Sequence, residues 1–255
     1  MRECTIRANK EKIIDKLIAC GSILLVWKLL SCFFPPIVVP TISGVCKKII
    51  EILTRKELYS MIGITGIRLM SGLFFGLGIG VFMGVCMGKC ERIHNMMQPV
   101  IGIMQTVPPV SWLVLALIWF GFDGRPAVFI IAITTIPVIA IHMEEGIAAI
   151  NQNLMEMAEI FNFPGKKVFR HIALPSIFPY VKTAIRIALG SGWKIAVMGE
   201  VLTTTDGIGG MIKQARLNIE PETVIGWSVI IVVLFYISDF AVNKLFLEKE
   251  GTWNG

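Results

Sequence analysis

Six long apolar stretches punctuate the chain, at roughly 13–34, 61–88, 96–121, 126–143, 177–200 and 224–247. Each approaches the ~20 residues that an α-helix needs to cross about 30 Å of hydrocarbon. The pattern predicts an all-α integral membrane protein with about six transmembrane helices. It divides the chain into a tail and first helix (1–34), an external loop or surface helix (35–60), a core (61–223) holding a long polar loop at 144–176, and a last helix with its tail (224–255). Within 43–60, Ile49, Ile50 and Leu53 on one side and charges on the other suggest a helix lying on the membrane surface.

Two spans carry internal signals. In the second, Gly72, Gly76, Gly80, Gly84 and Gly88 recur every fourth residue. At about 100° per residue they form a slowly drifting stripe, a face along which another backbone can approach closely. Packing within the subunit is the favoured use of this stripe over a dimer seam. In the third span, Pro108-Pro109 after Gln105 and Thr106 removes two backbone donors and forces a kink or interruption. Such breaks are tolerated at membrane depth where protein or a cavity covers the backbone, and they mark transport paths in many carriers. A kink filled by neighbouring helices carries equal weight.

Composition agrees. The 255 residues are 55% hydrophobic and only 16% charged, against about 25% charged in ordinary soluble domains. The net charge of +6 raises nucleic acid as a partner, but Arg2, Arg7, Lys10, Lys12 and Lys16 crowd ahead of the first apolar run, where cationic residues record orientation. No basic stripe with interleaved aromatics exists, so no nucleic-acid partner is expected. An even span count with a basic head puts both termini in the cytoplasm. Lys47, Lys48, Arg55 and Lys56 run against that rule, because they fall in the outer loop. Lys28 interrupts the first apolar stretch, which favours an uncleaved helix over a secretion signal.

Catalytic and metal constellations are weak. The six cysteines form no CxxC pair and suit buried small hydrophobes. His94, His142 and His171 are isolated, and His142 beside Glu144 and Glu145 has the wrong spacing for an HExxH site. Gly84 to Lys89 fails the phosphate-loop spacing, since Met83 and Cys90 stand where Gly and Ser or Thr would be needed. No metal or cofactor is expected on this chain, and any ATP must be bound by another polypeptide.

The 144–176 loop is the most informative segment. Two short helices broken near Asn162–Gly165 fit its pattern, with Leu154, Ala158 and Phe161 on one apolar face and Glu156 and Glu159 elsewhere. Such an elbow suits docking to a soluble partner. Glu156-Met157-Ala158, Asn162, and Ile172-Ala173-Leu174-Pro175 together resemble the EAA loop of ABC-importer permeases: Glu-Ala-Ala, three residues, Gly, nine residues, Ile-x-Leu-Pro. Spacing agrees at every element, while Met157 and Asn162 replace the second residue and the glycine. Asparagine is the next-best residue for a left-handed turn. Pro35-Pro36 to Thr41, Thr65 with Arg68 and Gly72, Pro99, Val107-Pro108, Phe120-Gly121, Gly192-Trp193 to Glu200, and Gly207-Ile208-Gly209 resemble landmarks of the sulfonate, taurine and nitrate branch of these permeases.

The resemblance implies a type I ABC-importer permease in a bacterial inner membrane, with lipid around it. A second permease subunit, as a homodimer, would complete the pathway. Two ATPases carrying ATP and Mg²⁺ would grip the elbow through Glu156, Met157, Ala158, Asn162, Gly165, Ile172, Leu174 and Pro175. An extracytoplasmic solute-binding protein would deliver substrate, a small organic or inorganic anion in this branch. Pathway candidates are Gln105, Thr106 and Pro108 at the break, with Trp193, Lys194 and Glu200 in the fifth span. Lys194 lies about 25 Å along that span, and a charge at that depth faces an interior or a cavity. It would attract an anion, pair with Glu200 or snorkel. Glu200 sits about 120° away around the helix, which disfavours the direct pair. Two other classes compete: a self-sufficient channel or secondary transporter, and a membrane enzyme around His142.

Overall fold

The computed structural model describes residues 2–251, and the side chains of all of these except 2–14, 16, 17, 20, 245 and 247–251. The N-terminal basic cluster, Cys4, Cys20 and Lys249 therefore lie outside the described side chains. Among the described residues every regular element is helical. In order they are α1 (Arg2–Phe33), α2 (Ile42–Thr54), α3 (Leu58–Lys89), α4 (Glu91–Thr106), α5 (Pro109–Phe120), α6 (Arg125–Ala148), α7 (Gln152–Ile160), α8 (Gly165–Val168), a π turn (Phe169–Ala173), α9 (Leu174–Thr203), α10 (Gly207–Leu217) and α11 (Pro221–Gly251). In lipid every backbone group must be satisfied inside the segment, which is why apolar stretches of this length fold as helices.

The chain forms two compact units, Met1–Arg55 with Gln214–Ile230, and Lys56–Lys213 with Ile231–Gly255. In the smaller, Thr41 caps α2 by accepting from the Gly44 amide. Val45 and Ile52 are the buried positions of α2, and Ile49 and Ile52 approach Gly226 of α11. Ile50 and Leu53 on the same helix are exposed. Lys48 and Arg55 both bond Glu51, which offsets part of the positive charge that the sequence placed in this loop.

The larger unit is built on α3, α6 and α9. The glycine stripe of α3 lies directly on α6. A Cβ added at Gly72 would stand 2.6 Å from Ile131 Cβ, at Gly76 2.7 Å from Thr135 Cβ, at Gly80 2.7 Å from Ile139 Cβ, at Gly84 2.6 Å from Met143 Cβ, and at Gly88 2.9 Å from Ile147 Cβ. Both sets advance by four residues in the same direction, so α3 and α6 are parallel. Gly78, off the stripe, has open space beside it. On its other side α6 meets α9 in the opposite sense. Gly146 faces Ile177 and Tyr180, whereas Gly199 faces Ala127 and Ile130. Helix α11 runs antiparallel to α9, with Phe178 against Phe246, Arg186 paired to Asp239, and Gly190 beside Phe235.

These directions fix the path of the chain. Among the described residues four single helices are long and apolar enough to cross a membrane: α3, α6, the continuous Gly165–Thr203 segment, and Pro221–Lys244 of α11. The stretch expected as one span at 96–121 is two helices, α4 and α5, bent by 93° at the proline pair. Two parallel helices joined by a re-entrant loop would be a contradiction, since such a loop returns to the side it left. Hence α4 and α5 together carry the chain back across, as one broken span. His94 at the start of α4 bonds Glu144 near the end of α6, and Gly124 at the start of α6 lies against Arg68 near the start of α3; both contacts fit that route. The kink or interruption expected at Pro108-Pro109 is thus an interruption between two helices. Among the described residues five crossings follow from α3 to α11, one of them broken, and the apolar part of α1 ahead of them is the shorter Gly21–Phe33.

A Gly76→Val variant should be destabilised by about 1–3 kcal/mol through overpacking against Thr135 and the Ala132 carbonyl. Gly78→Ala should match or exceed the native stability. Thermal unfolding in detergent micelles compares the two.

Candidate functional site

The elbow between α6 and α9 is a capped helix followed by a left-handed turn. The Asn151 side chain accepts from the Asn153 amide at 2.9 Å, which starts α7 after the chain leaves α6. At the other end Asn162 has φ 51°, the Asn162 amide donates to Glu159 O, and the Phe163 amide donates to Ala158 O. This is the Schellman arrangement, with asparagine in the position glycine prefers. Pro164 then cannot continue a helix and turns the chain into α8. The second short helix expected from the sequence is not separate. Gly165 to Val168 leads through the π turn into α9 as one unbroken segment, so Gly165, Ile172, Leu174 and Pro175 form the root of α9.

The apolar face of the elbow also differs from the expected one. Ala158 is buried, at 2% exposed, while Leu154 and Phe161 are open at 42% and 66%. Glu156 and Met157 are exposed. A shallow groove of about 430 Å³ runs along Met155, Glu156, Glu159, Phe163 and Val168, with Ala158 at its floor. It is apolar at the base and acidic at the rim.

The pathway candidates separate into two groups. Gln105, Thr106 and Pro108 lie exposed at the α4–α5 break. Lys194 is exposed about two-thirds of the way along α9 and, among the described residues, has no hydrogen-bond or ion-pair partner. Trp193 and Glu200 are buried instead. The Trp193 indole donates to Ser238 Oγ of α11 at 3.0 Å. Glu200 is wholly enclosed and does not approach Lys194.

Glu200 is the centre of a polar cluster where the starts of α3 and α10 meet the end of α9. Its Oε1 accepts from Arg68 Nη1 at 2.9 Å. Its Oε2 accepts from Thr65 Oγ1 at 2.8 Å and from the Gly209 amide at 2.9 Å. Thr65 Oγ1 in turn accepts from the Ile208 amide at 2.9 Å. Arg68 also holds both oxygens of Asp206, at 2.9 and 3.0 Å. Charged hydrogen bonds of this kind are among the stronger ones, and enclosure by donors is what lets a carboxylate stay in the interior. Glu144 and His142 do not pair, since His142 Nδ1 donates to Val138 O while Glu144 bonds His94. Among the described residues no group of three or more potential ligands could hold a metal ion.

The elbow is thus rooted in two antiparallel helices, α6 and α9, and the start of α10 is held at the far end of α9. The sequence from 76 to 246 matches the family model of the binding-protein-dependent transport system inner membrane component. The chain belongs to this family.

Among relatives, the permease is 29% identical over 225 residues to the putative aliphatic sulfonates transport permease protein SsuC of Escherichia coli (strain K12), covering 88% of this chain and 86% of that one. It is 24% identical to the taurine transport system permease protein TauC of the same strain, over 74% and 68% of the two chains. It is 33% identical to the nitrate import permease protein NrtB of Synechococcus elongatus, over 62% and 55%. Its fold matches a chain of the inward-facing MetNI methionine ABC transporter with a TM-score of 0.65 at 19% identity, covering 75% of the permease and 95% of that chain. A chain from a bacterial importer of alginate matches at 0.62 and 14% identity, over 95% and 99%. The protein is therefore a multi-pass membrane permease subunit of an ABC importer, with ATP hydrolysis left to a partner ATPase.

Sequence reasoning named Glu200 without its partners. Thr65 and Arg68 stand in the sequence only as landmarks of the branch, and nothing in the local pattern joins Asp206 to them. The available signal was spacing: Thr65 and Arg68 are three apart on one face of α3, and Arg68 is a charge inside an apolar span. What spacing could not supply was the direction in which α9 packs.

Arg68→Ala leaves Glu200 enclosed without its cation and should cost about 3–5 kcal/mol. Asp206→Asn, at a half-exposed carboxylate, should cost less than about 1 kcal/mol. Unfolding midpoints in nanodiscs order the two, and equal losses would contradict this reading of the cluster.

Proposed function

We propose that two copies of the permease enclose a pathway for a small anion, that two ATPase subunits binding ATP and Mg²⁺ grip the α7 elbow of each copy, and that an extracytoplasmic binding protein delivers the solute on the other side. The carrying observation is the elbow itself. A nine-residue helix, closed at both ends by side-chain or backbone caps and fused to a continuous span, is a rigid projection that transmits force. Its exposed Leu154, Met157, Ile160 and Phe161 supply apolar contact area, and the acidic rim supplies orientation.

The anionic substrate rests on Lys194 and on the relatives. An ammonium group within a membrane-spanning helix is costly against lipid and belongs beside water or a counter-charge. Lys194 shares its exposed face of α9 with Thr183, Ile187 and Ser191, so that face supports a role as pathway wall. SsuC, TauC and NrtB are described as permeases for aliphatic sulfonates, taurine and nitrate; a sulfonate or nitrate-like oxyanion is the substrate class that fits both. The exposed residues Gln105, Thr106 and Pro108 at the broken span would line the same route, and Trp193 and Glu200 would support α9 from behind. The C-terminal half of α11 ends on the elbow side, so a cytoplasmic elbow implies a cytoplasmic C-terminus. The basic head implies the same for the N-terminus. A channel or secondary transporter would leave the capped elbow without a use.

Glu156→Arg reverses charge at an exposed elbow position and should abolish copurification of the ATPase while membrane insertion is unaffected; retention of the ATPase would refute the docking assignment. In a working transporter Lys194→Ala should raise the KM for a sulfonate or nitrate by about tenfold, as expected for one lost charge contact of about 1.4 kcal/mol. An unchanged KM would remove the argument for an anion.

A further inference from the structure

The cluster around Glu200 does more than bury a charge. Helix α10 begins at Gly207, whose φ of 71° turns the chain back after α9. The first amides of a helix lack partners within it, and here two of them are satisfied from outside α10: Ile208 by Thr65 of α3, and Gly209 by Glu200 of α9. Asp206, at the position where a side chain would ordinarily cap α10, is turned to Arg68 instead. There is no slack in the joint. A Cβ at Gly207 would stand 2.6 Å from Glu200 Oε1, and one at Gly209 2.6 Å from the Val197 carbonyl oxygen. Lys213 of α10 also reaches back to Thr204 O at 3.2 Å.

The other end of the same block is the elbow. From Gly165 the chain is helical without a break to Thr203, and α9 is locked to α6 and α3 along glycine contacts at Gly146, Gly192 and Gly199. A packed block with glycine-mediated backbone contacts has few ways to deform, so a displacement applied at one end arrives at the other.

We propose that Glu200 is a positioning residue that ties the first turn of α10 to the α3–α6–α9 block, so that α10 is carried with the elbow as one body. The inference rests on the reading of the elbow as the place where the ATPase acts. Glu200 holds the joint through its buried half, with Arg68, Thr65 and the Gly209 amide. Asp206, on the half-exposed side of Arg68, supports the joint without being its core. Coupling free energies between distant sites in proteins correspond to roughly 5–150-fold effects, and a joint of several charged hydrogen bonds is of that order.

The test is a distance measured in the assembled transporter. Spin labels at Gln152→Cys in α7 and Met211→Cys in α10, in an otherwise cysteine-free chain diluted with an excess of unlabelled cysteine-free copies, are read by pulsed electron paramagnetic resonance without nucleotide and after trapping with MgATP and vanadate. The native sequence should give one narrow distance that is the same in both states. Thr65→Val, which keeps the shape and removes both hydroxyl bonds, and Glu200→Gln should each broaden the distribution, while Thr65→Ser should restore it. A native distance that changes between the two states overturns the proposal, as does a narrow, unchanged distance in Thr65→Val. Should Glu200→Gln fail to assemble, the Thr65 pair decides alone. A purely structural role would lower the unfolding midpoint of Thr65→Val and leave the distance narrow. Failure of the underlying elbow reading is seen separately, as a Gln152 label whose mobility is unaltered by adding the ATPase.

Discussion

The contact on which the rest of this permease depends is the close approach of α3 to α6. Five glycines at four-residue intervals remove the side chains from one face of α3, and the β-branched and methionine side chains of α6 enter the space in step. In lipid there is little hydrophobic gain in bringing two apolar helices together, so association relies on tight van der Waals contact and on polar groups between helices. The stripe supplies the first. Because both helices advance together, it also fixes their relative direction, and from that direction follow the crossing made by the broken α4–α5 pair, the side on which the elbow projects, and the side on which α10 begins.

Polar groups supply the second kind of bond, and they sit at the ends of the core. On the α10 side, Arg68 joins Glu200 and Asp206, with Thr65 and two backbone amides completing the shell. On the elbow side, His94 meets Glu144. Arg186 with Asp239 ties α9 to α11. A charge inside the hydrocarbon region is tolerated when paired or wet. The paired ones are structural ties in this permease. Lys194 is not paired among the described residues, and the proposed anion pathway rests on it.

Much of this was legible in the sequence, and the reasons differ by element. The spans were visible because lipid demands long apolar helices, and the stripe because a four-residue repeat survives any error in helix ends. The turn at Asn162 could be foreseen since only a few residue types tolerate positive φ, and its observed value of 51° agrees. Less legible were features set by tertiary contacts. A proline pair announces a break but not its angle of 93°. The periodicity of the elbow could not say that Ala158 would be enclosed while Leu154 and Phe161 stayed open, because that depends on how the chain returns through Phe163 and Val168. Glu200 stands out in the sequence, yet its side-chain partners Thr65 and Arg68 lie more than a hundred positions away in the chain, beyond the reach of any local rule.

The central claim is that the elbow and the start of α10 lie on opposite faces of the membrane, with the elbow on the side where a motor protein grips it. Labelling with a membrane-impermeant thiol reagent measures this most directly, using single cysteines at Gln152 and at Asp206 in a chain otherwise free of cysteine. The account predicts that Gln152→Cys reacts only in inverted vesicles and is shielded when the ATPase is bound, whereas Asp206→Cys reacts only in intact cells. Labelling of both positions from the same side, or a Gln152→Cys that reacts equally with and without the ATPase, would contradict it.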